Sequence, residues 1–147
     1  MSKDSFSVHP RTQARDCVFQ GLYAYEISKE NDPKSFSYHL KKFSLDKTTE
    51  NFATSLYFKT LEENDTLKET IEEFLENWDL NRIALLDKLI LKMSVCELLF
   101  FDDVPPIVSI SEAIELAEKY STDESSGFVN GVLDSIFRKK IEIKKEK

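Results

Sequence analysis

Two arginines near the start of the chain have the chemistry and the spacing to bind phosphate. Arg11 and Arg15 are four residues apart, so a helix would place both side chains on one face, within reach of adjacent phosphates. Because arginines near a helix N-terminus oppose the helix dipole, anion binding suits them better than helix stabilisation does. Lys3 could supply another phosphate contact from the same end of the chain. The alternative for all three residues is an ordinary solvated surface.

Two aromatic residues could contact a single-stranded nucleic acid. Phe128 follows the stretch STDESSG and begins a predicted helix, where an exposed ring can stack on an unpaired base and the helix N-terminus favours a nearby phosphate. At 100° per residue, Phe128 lies roughly a quarter turn from the centre of the apolar face of residues 129–136, so core packing is the alternative. Tyr23 lies two turns after Arg15 and could add a hydroxyl contact, with a core aromatic as the alternative.

The sequence does not carry the residue patterns of the common enzyme classes. His9 and His39 are the only histidines, and neither belongs to a nucleophile and base pattern. A glycine-rich phosphate loop, a zinc-protease helix motif and a calcium-binding loop are all absent. Neighbouring carboxylates such as Glu62 and Glu63 are typical of a solvated helix face. We therefore expect no enzymatic activity, no metal and no cofactor.

The two cysteines and the apolar residues indicate the compartment. Cys17 and Cys96 are far apart in sequence, and neither has a second cysteine at metal-ligand spacing, so each is interpreted as a small buried hydrophobe in a reducing compartment. No apolar run approaches the roughly 18 residues of a membrane span, and the first ten residues do not resemble a signal peptide. We expect a cytoplasmic protein that does not enter membranes.

The charge is distributed unevenly along the chain. The net charge is −7, yet residues 1–15 hold three basic groups and one acidic group, and residues 138–147 hold six basic and two acidic groups. An acidic body with basic ends would suit one anionic partner and one basic partner. Basic termini that are solvated by chance are the alternative.

Composition and apolar spacing favour helix nearly everywhere. Only three glycines and four prolines occur among 147 residues, which predicts the all-α class and a single domain over residues 1–147. Apolar residues recur at helical spacing through most of the chain. The predicted helices cover 12–28, 35–43, 49–61, 66–77 and 80–101, followed by one that starts at a capping box of Ser109 and Glu112 and a last one from Phe128, after a loop over 121–127.

Two predicted helices have features that bear on packing. Between Leu80 and Phe101 the apolar residues cover most of the helical wheel, which predicts a central helix. Asn130 and Gly131 are unusual inside the last helix, because glycine costs about 0.8–1 kcal/mol relative to alanine there. Close approach of another helix explains Gly131 best, and close approach of RNA is the alternative.

Four stretches resemble the NusB family in order and spacing over nearly the whole chain. They are ARDCVFQGLY at 14–23, DKLILKMSVCELL at 87–99 with VP at 104–105, ISEAIELAEKY at 110–120 and FVNGVLDSI at 128–136. The resemblance implies the NusB fold, in which two small helical subdomains pack as an orthogonal bundle. It also implies a non-enzymatic transcription antitermination factor.

The resemblance implies partners as well. In the NusB family the protein pairs with NusE, a small-subunit ribosomal protein, and the pair binds boxA RNA within the RNA polymerase antitermination complex, supporting ribosomal RNA transcription. The family places the position that matches Asp87 on the partner-facing surface, where a basic protein would be attracted. The chain departs from the family in a sparser N-terminal arginine cluster, in Ser111 for the usual Asn and in Gly127 for a common Lys. These departures weaken the expected phosphate contacts.

Two other functions are compatible with the sequence. The first is a protein-interaction scaffold, either a homodimer or an adaptor, whose sparse basic arm binds little RNA. The second is a helical module that serves an RNA methyltransferase, although no residues remain here for a catalytic domain.

Overall fold

The computed structural model describes residues 9–29, 33–75 and 80–142, and these residues form helices and no strand. The all-α prediction is therefore confirmed. The helices are α1 Pro10–Ser28, α2 Pro33–Phe43, α3 Lys47–Glu62, α4 Asn64–Glu72, α5 Leu85–Phe100, α6 Pro106–Tyr120 and α7 Asp123–Ile136. A 3₁₀ turn, Leu80–Arg82, precedes α5, and a π-helical segment, Phe137–Glu142, follows α7.

The chain divides into two compact units, one ending at Phe58 and the other beginning at Lys59. The division falls within α3. Two helical units are what the resemblance implied, whereas the single domain over residues 1–147 stays a prediction.

The first unit is organised by α1. Pro10 occupies the first turn, where its missing N–H costs nothing, and the His9 Nδ1 accepts a hydrogen bond from the Arg11 N–H at 3.1 Å. Among the residues of this unit that the structure describes, the buried side chains are apolar apart from Arg15 and Thr49. The apolar ones are Ala14, Cys17, Val18, Phe19, Leu22, Phe36, Phe52, Ala53, Leu56 and Tyr57.

Gly21 is required by a close aromatic contact in this core. The rings of Phe36 and Tyr57 stack with centroids 4.0 Å apart and planes 8° apart. A Cβ atom on residue 21 would lie 2.8 Å from Cδ1 of Phe36 and 3.2 Å from Cε1 of Tyr57. The stacked rings therefore occupy the space that any other side chain at this position would need.

The second unit is built around α5. This helix packs against α4, α6 and α7, which confirms the prediction of a central helix. Its buried residues include the polar Asp87, Ser94 and Glu97, so burial extends beyond the apolar positions. Glu97 accepts a hydrogen bond from the Ser109 hydroxyl at 3.0 Å, and this buried bond joins α5 to α6.

Four predicted boundaries are wrong. The helix predicted over 66–77 ends instead at Glu72, and residues 73–75 form a turn and a bend. The helix predicted from Leu80 begins instead at Leu85, because Ala84 is extended, with ψ 140. The capping box at Ser109 does not form, since α6 begins at Pro106 and Ser109 lies within it, buried against Glu97. The predicted loop over 121–127 is largely helical, because α7 begins at Asp123.

The start of α7 explains why that loop is a helix. The Thr122 side chain accepts a hydrogen bond from the Ser125 N–H at 3.1 Å, which caps the helix. Asp123 and Glu124 occupy the first turn, where carboxylates interact favourably with the helix dipole. The residues interpreted as loop formers thus act as helix-start residues.

The π-helical segment continues α7 beyond Ile136. Ile141 is buried in this segment and lines a cavity with Leu98 and Val104. The Lys140 Nζ lies 3.1 Å from a Glu73 carboxylate oxygen, although both side chains are exposed, so this ion pair adds little stability.

Candidate functional site

Arg11 and Arg15 both lie beside the ring of Phe52. Their guanidinium carbons are 4.1 Å and 5.2 Å from the ring centroid, respectively, distances at which the negative face of an aromatic ring attracts a cation. The prediction that the two arginines share one face of α1 is confirmed. Phe52 was missed, because nothing in the local sequence pairs α1 with this residue of α3.

The two arginines differ in exposure. Arg11 is half-buried, whereas Arg15 is only 2% exposed. The expectation that Arg15 lies at the surface is therefore wrong, while its contact with RNA stays a prediction. Its cation lies within the core of the first unit, behind the more accessible Arg11.

Tyr23 and Lys3 are the other two RNA-binding residues predicted in the N-terminal half. Tyr23 is 42% exposed on α1, which agrees with a ring whose hydroxyl is accessible. Lys3 lies outside the described residues, so its role as a phosphate contact stays a prediction.

Phe128 stands on the surface of the second unit. It is the sixth residue of α7 and is 38% exposed, which confirms the prediction that it lies at the margin of the core. The residues predicted to face the core are buried, namely Val129, Val132, Leu133 and Ile136. The predicted helix start at Phe128 is wrong, however, so the end amides of α7 belong to residues a turn earlier.

Two glycines leave open space on the same helix. A Cβ on Gly127 or Gly131 would meet no atom within 4 Å. The prediction that Gly131 allows another helix to approach is therefore wrong among the described residues. Asn130 and Gly131 are both exposed, so this face of α7 is open among the residues that the structure describes.

Asp87 is buried rather than solvated. It is 6% exposed in the first turn of α5, and its Oδ2 accepts a hydrogen bond from the Ser125 hydroxyl at 3.0 Å. Its other oxygen, Oδ1, is buried and has no hydrogen-bond partner among the residues that the structure describes. The expectation of an openly exposed, partner-facing carboxylate is therefore wrong as to exposure, while the partner role itself stays a prediction.

Two further hydroxyl groups are connected to this carboxylate through Ser125. The Ser125 hydroxyl oxygen accepts hydrogen bonds from the hydroxyls of Ser121, at 2.8 Å, and Thr122, at 3.1 Å. Sequence reasoning missed this network because the cluster of Ser and Thr residues was interpreted only as cap and loop formers. The sequence signal for this network was the number of Ser and Thr residues between positions 121 and 127, because one helix cap needs only one of them.

Cys17, Cys96 and His39 have side chains of the kinds that act as nucleophile or base in enzymes, and burial shifts the pKa of each away from that use. Burial raises the pKa of the Cys17 thiol to about 12, with Asp16 and Glu50 adding to the rise, and burial likewise raises the pKa of Cys96 to about 12. Both thiols are therefore protonated at neutral pH, and the prediction that they are buried is confirmed. Burial, followed by Lys42, lowers the pKa of His39.

The described residues form neither a cluster of metal ligands nor a membrane-spanning helix. Within residues 9–29, 33–75 and 80–142, no group of three or more His, Cys, Asp or Glu side chains is arranged to hold a metal ion. Over the same residues, no helix combines the length and the apolar character that crossing a membrane requires.

Comparison with known protein families and sequences gives one consistent result. The NusB family model matches residues 12–138. A transcription antitermination protein NusB from Salinibacter ruber is 42% identical over 128 residues, which cover 86% of this chain and 79% of that protein. One from Chloroherpeton thalassium is 39% identical over 128 residues and 86% of this chain, but the match spans only 61% of that longer relative.

Solved structures give the same result. NusB from T. maritima superposes with a TM-score of 0.82 at 33% identity, covering 94% of this chain and 97% of that one. A chain from a crystal structure of the antitermination factors NusB and NusE in complex with dsRNA superposes with a TM-score of 0.80 at 25% identity, covering 88% of this chain and 96% of that one.

Proposed function

This chain belongs to the NusB family of transcription antitermination proteins, and we propose that it binds boxA-type single-stranded leader RNA together with the ribosomal protein NusE. In this proposal the protein works in the cytoplasm within the antitermination complex of RNA polymerase. It contributes binding surfaces and no enzymatic step. The similarity to a chain from a crystal structure of NusB and NusE with dsRNA supports NusE and RNA as partners, and the preference for a single strand is argued from Phe128 below.

The observation that carries the RNA proposal is the exposure of Phe128 on the surface of α7. Phe128 is 38% exposed, at the margin of the buried apolar face of that helix. A flat base can approach such a ring and stack on it, whereas a paired base in a helix has its faces covered. The geometry thus favours a single strand over a duplex.

Phosphate binding is assigned to Arg11, considered within its own unit. Its guanidinium is half-buried against Phe52, which restrains the side chain and lowers the entropy lost when a phosphate is bound. Arg15 is 2% exposed beside the same ring, so we assign it the role of supporting Phe52 and Arg11. Tyr23, at 42% exposure, offers a hydroxyl to the backbone or a base edge.

The contact with NusE is assigned to the surroundings of Asp87. Its Oδ1 has no hydrogen-bond partner within the described part of the chain, and an unsatisfied buried carboxylate oxygen is costly for the protein alone. A lysine or arginine of a basic partner that reached this atom would remove that cost. Asp87→Asn removes the negative charge at nearly constant volume. It should weaken NusE binding and leave the helical circular-dichroism spectrum unchanged.

The function is tested by fluorescence anisotropy with a labelled single-stranded boxA RNA at one fixed salt concentration. We expect weak binding by the chain alone, because its net charge is −7, and tighter binding when NusE is present. The same RNA annealed to its complement is the control for single-strand preference.

Two results would contradict the proposal. Equal affinity with and without NusE would show that the partner does not complete the RNA-binding surface. If neither RNA nor NusE binds, the scaffold alternative becomes the better explanation, and analytical ultracentrifugation would then distinguish a homodimer from a monomeric adaptor.

A further inference from the structure

A groove between α6 and α7 lies apart from the residues assigned above. Its volume is about 630 Å³, and we call its apolar lining residues the floor and its polar and acidic lining residues the rim. The floor residues are Ile107, Ile110, Ile114 and Phe137. Polar and acidic side chains form the rim, namely Ser111, Glu115, Glu118, Asn130 and Asp134.

The apolar floor extends to the surface. Ile107 is 77% exposed, and Ile110 and Ile114 are half-buried. Their spacing of three and four residues aligns them as one stripe along α6. A continuous apolar stripe that a helix leaves uncovered is more typical of an interaction surface than isolated exposed residues are.

The acidic rim is unfavourable for the isolated chain. Glu115 and Glu118 are exposed and one turn apart in the second half of α6, and neither forms an ion pair with any residue that the structure describes. Carboxylates near the C-terminal end of a helix oppose its dipole. Across the groove, Asp134 is paired with Arg138 at 3.0 Å, so the unpaired negative charge is concentrated on the α6 side.

We propose that this groove binds one amphipathic helix of a protein partner, with apolar residues on one face and lysine or arginine beside them. The apolar face would cover the isoleucine stripe, and the basic residues would pair with Glu115 and Glu118. From Ile107 to Glu118 the stripe and rim extend roughly 16 Å, which matches about three helical turns. Nucleic acid is disfavoured here because the rim would repel phosphates.

This surface does not depend on RNA binding or on NusE. A direct test uses the full chain and a labelled synthetic helical peptide of sixteen residues, with leucines at positions i, i+3, i+4 and i+7 and lysines flanking them. One control peptide replaces the lysines with glutamates, and another keeps the composition but disrupts the leucine spacing. Fluorescence anisotropy gives the affinity of each.

Variants of the protein locate the binding site. Ile107→Ser and Glu118→Lys change exposed side chains of the groove, so the thermal unfolding curve should stay close to that of the native chain. We expect each to weaken binding of the lysine peptide by about tenfold or more. Glu69→Lys is the matched control, because Glu69 is an exposed helical carboxylate outside the groove, and it should bind like the native chain.

One pattern of peptide binding would support the proposal, and three others would overturn it. Binding of the lysine peptide that both groove variants weaken and Glu69→Lys preserves would support the proposal. Failure of the native chain to bind that peptide would overturn it, as would equal binding of the peptide with disrupted leucine spacing. Equal losses in Glu118→Lys and Glu69→Lys would also overturn it, because they would indicate general charge attraction.

Discussion

The Ser125 hydroxyl donates a hydrogen bond to Asp87 Oδ2 at 3.0 Å, and this bond joins the first turn of α7 to the first turn of α5. The two residues are 38 positions apart in sequence. Because Ser125 is one helical turn before Phe128, the bond also fixes the part of α7 that presents the exposed ring.

Ser125→Ala should lower the free energy of unfolding by about 1–3 kcal/mol, because it leaves the buried carboxylate of Asp87 without this donor. Urea unfolding followed by circular dichroism would measure the loss. Ser126→Ala is the control, since the Ser126 hydroxyl donates to an exposed backbone carbonyl, that of Asp123, and a change there should stay within about 0.5 kcal/mol. Equal stabilities of the two variants would mean that the bond to Asp87 contributes nothing.

Phe128→Ala should weaken NusE-assisted RNA binding by about 1–3 kcal/mol, the usual contribution of one base stacked on an aromatic ring. Phe100→Ala is a close control, because Phe100 is also 38% exposed and belongs to the same unit. Its loss should leave RNA affinity unchanged. A buried phenylalanine would instead lose about 3–5 kcal/mol of folding stability on truncation. A large stability loss in Phe128→Ala, with unchanged RNA affinity per folded molecule, would therefore exclude stacking.

Alanine at two glycines should have opposite effects on stability. Gly21→Ala should destabilise the fold by about 1–3 kcal/mol, because its Cβ would lie 2.8 Å from the ring of Phe36 and the stacked rings must move. Gly131→Ala should stabilise it by up to about 1 kcal/mol, since the new Cβ meets nothing within 4 Å and alanine favours helix. Thermal unfolding of both variants is the measurement, and a gain for Gly21→Ala would refute the packing argument.

Stability should fall as the pH is lowered through the range in which His39 takes up a proton. Burial and Lys42 lower the pKa of His39 below its ordinary value of 6.5, and its Nδ1 is buried with no hydrogen-bond partner in residues 9–29, 33–75 and 80–142. The unfolded chain therefore binds this proton more readily than the folded chain. The stability that neutral His39 contributes to the folded state is present above about pH 6.5 and is lost as the pH falls below that value. His39→Leu should flatten that part of the curve in urea unfolding at several pH values, and an unchanged slope would argue against it.

Apolar periodicity was sufficient to predict much of the fold. The stripes of apolar residues predicted the all-α class and the central position of α5, because 3.6-residue periodicity is a local property of the chain. The wheel position of Phe128 relative to Val129 and Leu133 likewise predicted partial exposure, and the ring is 38% exposed. These predictions required no knowledge of which helices meet.

Polar residues were the main source of error. Ser109 was interpreted as a helix cap, yet it is buried against Glu97, twelve residues earlier. Arg15 was expected at the surface, yet it lies beside Phe52 on another helix. Whether a polar side chain is buried depends on a partner that is distant in sequence, and no local pattern specifies that partner.

The π-helical segment after α7 has a consequence for chain length. Ile136 and Ile141 are five positions apart and both are buried, whereas five residues of an ordinary α-helix would turn the two side chains about 140° away from each other. The wider turn brings them to the same side. Removing one residue between them would give a four-residue spacing that an α-helix aligns equally well. This stretch can therefore lose a residue and keep its apolar side, with helix pitch absorbing the deletion in place of a loop.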